Sequence, residues 1–131
     1  MAEKHSAGSI VVACIAGGAI SKGHAVELAS NSGGERTVIQ ADSANEAWGV
    51  YIGDAAAAQY DHVEICIFGP CIAWLDGAIT LNPAQPVSND TDGHIVAESA
   101  DKKRAIGFAT ETNGATENFG EIFVNPHYTS L

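Results

Sequence analysis

The stretch Ala47-Trp48-Gly49-Val50-Tyr51-Ile52-Gly53-Asp54-Ala55 restricts the folding choices of this chain more than any other. It is a short apolar run with β-branched and aromatic residues, bracketed by glycines, and it reads as a buried strand entering a turn. It has an echo. Ala105-Ile106-Gly107-Phe108-Ala109 repeats the order small, large apolar, Gly, large apolar. The flanks agree too. Val38-Ile39-Gln40-Ala41-Asp42-Ser43 and Val96-Ala97-Glu98-Ser99-Ala100-Asp101 both pass from β-branched residues into Ala, Ser and Asp. Downstream lie two strand-like runs, Val63-Glu64-Ile65-Cys66-Ile67 and Glu121-Ile122-Phe123-Val124. The copies are offset by about 58 residues, past the periods of solenoids, and two copies are too few for an array. The pattern predicts a duplicated β-unit whose halves close on one core.

The remaining runs fit that reading. Ile10 to Ala16 is a strand ended by Gly17-Gly18, and Ala25-Val26-Glu27-Leu28 alternates in polarity, so one of its faces should be wet. Thr37 to Ala41 returns as its partner across a loop at Asn31-Ser32-Gly33-Gly34, and Asn89-Asp90-Thr91-Asp92-Gly93 is the matching hairpin tip in the second half. Asp42 to Glu46 and Asp54 to Tyr60 each have the composition and capping residue for one short helical turn. Gly69-Pro70 should break the strand His62 to Phe68, with Cys71 to Leu75 resuming the β pattern. Ile79 to Val87 reads as an extended segment bent by its prolines. The expected fold is therefore mainly β: a compact sandwich or barrel of two similar β-units, one or two short helical turns, and a flexible N-terminal arm. The arm would be residues 1–9 and a single β-rich domain residues 10–131, with approximate halves 10–69 and 70–125.

Size and charge narrow the function. At 131 residues and 46% apolar content there is material for one core. Alanine and glycine are many and aromatics few, which favours close sheet packing over a large ligand cavity. The net charge of −10, with six Lys and Arg, argues against nucleic-acid binding and against anionic membrane surfaces. Lys102-Lys103-Arg104 is the one basic run, and a solvated turn explains it more simply than a phosphate contact. Three cysteines, Cys14, Cys66 and Cys71, with no secretory signal, point to free thiols in a reducing compartment. The spacing of Cys66 and Cys71 does not match a zinc pair.

No catalytic constellation is visible. His5, His24, His62, His94 and His127 are scattered, and exposed turn or strand histidines account for them better than a zinc or copper site. Asp90-Thr91-Asp92-Gly93 resembles the opening of a calcium loop but lacks the later bidentate Glu, so a hairpin turn is the better reading. Leu75-Asp76-Gly77-Ala78 lacks the Thr of an aspartic-protease loop, and there is no nucleophile elbow or phosphate loop. No cofactor and no enzyme activity are expected. The large side chains Trp48, Tyr51, Trp74 and Phe108 are core by default, but aromatic residues are also enriched at protein contacts, which makes these four the candidates for a subunit interface.

Four segments carry a resemblance to a known family: Ile20-Ser21-Lys22-Gly23-His24-Ala25-Val26, Trp48 to Ala56, Ile79 to Val87, and Ala105 to Ala109. In each half a Gly- or Pro-led approach is followed by an apolar-Gly-apolar strand. From Ile10 to Asn125 the chain resembles the head decoration, or capsid cement, proteins of tailed bacteriophages. Cys66, Cys71 and Gly69-Pro70 depart from that family, in which a longer valine-rich strand follows the Ala-Ala turn. The resemblance implies a structural virion protein, made in the host cytoplasm, that binds the capsid exterior and stabilises the shell against internal DNA pressure. It implies the major capsid protein as partner and a homotrimer or dimer on the shell, with neither nucleic acid nor membrane bound. Ala2, Glu3, Lys4, His5 and Ser6 are then the candidate capsid contacts, as an arm adding a strand to a sheet edge of the shell. The alternatives are another phage β-module, in a tail or fibre, or a small enzyme.

Overall fold

The computed structural model describes residues 8–30, 34–80 and 85–130. Within them the chain forms nine strands: β1 (Ile10–Ala16), β2 (Ala25–Ala29), β3 (Thr37–Gln40), β4 (Gly49–Tyr51), β5 (His62–Leu75), β6 (Pro86–Asn89), β7 (Ile95–Ala97), β8 (Arg104–Ala109) and β9 (Asn118–Tyr128). Every strand but β5 finds two neighbours, β5 finds four, and the pairings close twice. The first closure runs β1-β3-β2-β4-β5 and back to β1; the second runs β5-β7-β6-β8-β9 and back to β5. The molecule is two five-stranded rings sharing one long strand. The first half of β5 ends one ring and its second half begins the other.

The two rings repeat the same pairing plan. In each, one strand pair is parallel, β1 with β3 and β5 with β7, and the other four are antiparallel. The lone bridge Ile20↔Ala57 recurs as Ile79↔Asn113. Ala41 N donates to Ala25 O as Glu98 N does to Pro86 O; Tyr51 N to His24 O as Ala109 N to Gln85 O; Gly17 N to Val38 O as Asp76 N to Ile95 O. The motif that opened the sequence argument has one physical cause in both places. A Cβ on Gly49 would lie 2.6 Å from the Ile65 side chain and 2.7 Å from Cys66 O, and one on Gly107 would collide with the Phe123 carbonyl. Main chain passes over both positions, so only glycine fits.

Side chains divide into two interiors rather than the single core expected. One cluster fills the first ring: Cys14, Ala16, Ile20, Val26, Val38, Tyr51, Ala57, Val63 and Ile65. The second contains the ring-two residues Cys71, Ala73, Leu75, Ile79, Val87, Ile95, Ile106, Ala109, Ile122 and Val124, and it continues onto the outside of ring one through Ala25, Ala41, Ala47, Val50, Ile52 and Cys66. The reason is the two-residue period of a strand: Tyr51 and Ile65 point into ring one while Val50 and Cys66 point at ring two. This also corrects the expected wet face of β2. Ala25 and Val26 are both buried, one against each interior, and the solvated end is Leu28.

Two other expectations are overturned. No helix forms among the described residues. At Asp42 to Glu46 the chain makes a turn with Asn45 at φ 64°, and Ala57 is held in the bridge to Ile20. Segments this short have no helix of their own to gain, and tertiary hydrogen bonds decide them. Gly69-Pro70 does not end the strand either: β5 runs through it, with Gly69 at φ 101° re-aiming the chain from one ring to the other. Gly8 and Ser9 already pack on this point, where the Ser9 hydroxyl donates to Pro70 O at 2.6 Å. The rest of the expected arm, the tip Asn31-Ser32-Gly33 and the bend at Pro83 lie outside the described residues.

A buried polar lock joins the units. Asn89, 2% exposed, accepts from the N–H groups of Glu46 and Ala47 through Oδ1 and donates to Ser43 O and Asp90 O. Asn45 donates to Glu98 and to Arg104 O, and the Arg104 guanidinium donates to Ala47 O. Burial raises the Glu98 carboxyl pKa, but hydrogen bonds from Asn45, Ala100 N and Ser88 outweigh it and hold the group below its ordinary value of 4.5.

Candidate functional site

The strands close into rings among the described residues, so what this molecule can offer a partner is mainly its side-chain surface. Three places stand out. The first is an apolar band across ring two and the β5 crossover. Ile10 pairs with Phe68 across β1 and β5, and Phe108 with Phe123 across β8 and β9. Phe68 and Phe123 meet edge to face at 5.3 Å, and Phe108 stacks on His127 at 4.4 Å. Ile10 is 53% and Phe68 39% exposed, and Phe108, Phe123 and His127 are partly so. Large apolar residues grouped this way on a surface mark a contact face more often than chance singles do.

The second is an open groove of about 500 Å³ lined by Asn45, Glu46, Lys102, Lys103, Arg104 and the exposed Tyr128. It gathers half of the six Lys and Arg of the chain. Sequence reading had taken the basic run as a turn, and Lys102 at φ 59° does sit in one. The groove itself arises because the 43–47 loop of unit one lies beside that turn.

The third is a ring-and-carboxylate cluster where the units meet. Trp74 stacks with His24 (6.3 Å) and meets Phe119 edge-on (4.6 Å); His24 meets His94 at 5.0 Å. Lys22 Nζ lies 5.0 Å over Phe119. Trp74 Nε1 donates to Glu117, and Asp76, Asp90 and Glu117 surround His94. Burial pushes the His24 pKa down, with smaller opposing help from Lys22 O, so this ring is neutral at neutral pH. Two histidines that look scattered in sequence are thus brought into contact. Their signal was positional only: each precedes a strand, His24 at β2 and His94 at β7.

The four proposed interface aromatics fall in different settings. Tyr51 lies inside ring one, 7% exposed, its hydroxyl donating to Ala55 O at 2.6 Å. Trp48 packs on the same interior with Arg36 over its ring at 5.7 Å. Trp74 belongs to the third site and Phe108 to the apolar band. The candidate contacts Ala2, Glu3, Lys4, His5 and Ser6 lie outside the described residues. The three cysteines are free and buried. Cys66 and Cys71 share a hydrogen bond across the β5 crossover, which together with burial holds the Cys71 thiol protonated.

No protein-family model matches the chain, and no curated protein matches it. Among solved structures, it is similar to the N base of head fiber gp8.5 of bacteriophage phi29, with a TM-score of 0.65 at 10% identity over 89% of this chain and 94% of that one. The two share a fold.

Proposed function

We propose that this chain is a structural component of a phage head, a β-module that binds the outside of the capsid shell and stabilises it as a decoration protein does. The observation that supports this reading best is the near full-length likeness of the paired-ring fold to the base of a phage head fiber, joined to the resemblance of four sequence segments to decoration proteins. The physics is that of a clamp. A protein that binds only the assembled shell adds its binding free energy to what internal pressure must overcome, and several attachments per assembly multiply the effect. The apolar band of Ile10, Phe68, Phe108 and Phe123 is the face suited to that contact, or to the contact between copies in a trimer or dimer. Catalysis has no part in this reading. The acidic surface keeps the module off DNA.

The same likeness favours a second reading, the base of a fibre seated on the head. Incubating the purified chain with empty, expanded phage heads tests both. Stoichiometric retention on the shell, with stabilisation against heat, supports decoration. Retention at a few sites per head, or elongated oligomers in light scattering, supports the fibre base. No retention on any head overturns both. Deleting residues 1–7 then asks whether the N-terminal segment carries contact; unchanged retention removes it from the interface.

A further inference from the structure

The β6–β7 hairpin and the end of β5 bring three ligand-type atoms together, independently of the apolar band. Asp90 Oδ1 is occupied in its own turn, accepting the N–H groups of Asp92 and His94 at 2.9 Å each. Its Oδ2 faces the other way and lies 3.4 Å from His94 Nδ1, while Asp76 Oδ2 lies 3.0 Å from the same nitrogen. One ligand atom from each of Asp76, Asp90 and His94 lies within 4.8 Å of those of the other two. On the far side of the imidazole, Glu117 Oε1 lies 3.7 Å from Nε2 and is itself fixed by the Trp74 indole N–H at 2.8 Å.

We propose that Asp76, Asp90 and His94 bind one divalent first-row transition ion of the Zn²⁺ type. Bonds of about 2.0–2.2 Å from zinc to nitrogen and oxygen give ligand-to-ligand edges of about 2.9 Å in an octahedron and about 3.4 Å in a tetrahedron. The two edges at His94 Nδ1 match that range. Two carboxylates converge on one imidazole here, and a dication bound between them offsets their charge. A mixed nitrogen and oxygen set suits zinc or its neighbours, whereas calcium asks for six to eight oxygens. Glu117, 3.7 Å from Nε2 and so beyond hydrogen-bond length, lies on the side of the ring where a carboxylate would orient a metal-ligating histidine. Water completes the coordination.

The ion would have a structural task. Ring two closes between β5 and β7 through the single pair Leu75↔Ile95. Asp76 follows Leu75 and His94 precedes Ile95, so the ion staples the shortest pairing of the ring to its own hairpin. In ring one the corresponding pairing has two pairs, Ile15↔Thr37 and Ala16↔Val38. Gly17 and Thr37 stand there in place of Asp76 and His94, and neither is a usual ligand for such an ion.

The test uses the full chain stripped with a chelator. Co²⁺ should bind one per chain with visible d–d absorption, Zn²⁺ should displace it, and Zn²⁺ should raise Tm. Asp90→Asn keeps the Oδ1 acceptor that shapes the turn but removes the anionic Oδ2, and should weaken binding at least about tenfold. His94→Ala should do the same, and Asp92→Asn in the same turn should bind as wild type. Binding that survives both Asp90→Asn and His94→Ala overturns the site by placing the ion on other surface groups. A Tm indifferent to Zn²⁺ overturns it by leaving the His94 Nδ1 to Asp76 contact as a plain hydrogen bond.

Discussion

The two rings have the same hydrogen-bond plan and different side-chain economies. Ring one is enclosed: its interior holds Tyr51 and β-branched residues, and part of its outer face, Ala25, Ala41, Ala47 and Val50, is buried against ring two. Ring two is exposed on its outside and carries most of the apolar band, three cations of the groove and the ligand cluster. Backbone geometry is preserved wherever main chain meets main chain, as at Gly49 and Gly107. Equivalent side chains differ both in the interiors, as Tyr51 does from Ala109, and on the surface. Function in such a molecule is therefore to be sought where equivalent positions differ: Gly17 against Asp76, Thr37 against His94, Ala41 against Glu98.

The largest perturbation should come from equivalent core positions. Ile65 and Ile122 are both fully buried, one per ring. Truncating either to alanine should cost about 2–5 kcal/mol. Because β5 serves both rings, each variant should still unfold in one cooperative step, by urea denaturation followed with both far-UV and aromatic signals. Two separated transitions would break the picture of rings that stand or fall together.

Next come the paired glycines. Gly49→Ala and Gly107→Ala should each destabilise by about 1–3 kcal/mol, because the methyl group meets fixed backbone. Gly107→Ala should be the worse of the two, since every atom its methyl would meet, the Phe123 carbonyl and Val124 Cα, is backbone, whereas part of the clash at Gly49 is with side chains that can yield. Equal or negligible costs, measured by thermal melts, would show that the crossing strands are not held as tightly as the repeat implies.

A smaller difference separates Glu98 from its counterpart Ala41. The folded-state pKa of Glu98 is lowered, so its contribution is present above the ordinary value of 4.5 and is lost as pH falls below it through the folded pKa. Wild-type stability should fall across that acid window more steeply than that of Glu98→Gln, which has nothing to protonate there. Parallel pH profiles would remove Glu98 from the lock between units.

The smallest effect on stability belongs to the surface. Ile10→Ser, at a side chain of the band that is more than half exposed, should change the unfolding free energy by about 1 kcal/mol or less. The same variant should lose self-association or shell binding, whichever the apolar band serves. A variant that melts like wild type and still binds would take the band out of the interface.

Much of the fold was legible beforehand. The glycine-centred echo predicted a repeat, and Gly49 and Gly107 do occupy equivalent places. Every strand expected from β-branched runs is present among the described residues. The helical turns were misjudged because propensity over five to seven residues cannot compete with the hydrogen bonds of Asn45 to Asn89 and of Ala57 to Ile20. The crossover was misjudged because a glycine and a proline end a strand locally, yet at a junction between rings they can redirect one. Of the candidate sites, the aromatic residues were visible as types but not as neighbours. His24 and Trp74 are 50 positions apart in sequence and stack only because the Gly23 carbonyl accepts the Trp74 N–H.

By itself, the order of residues determined the β class, the repeat and the places where main chain must pass close to main chain, because alternation, branching and glycine act over a few bonds. Tertiary structure alone decided that the repeat closes twice around a shared β5, that there are two interiors, and that Asp76, Asp90 and His94 converge. Those outcomes depend on which strands pair across tens of residues, and pairing free energy belongs to the assembled rings and to no segment in isolation.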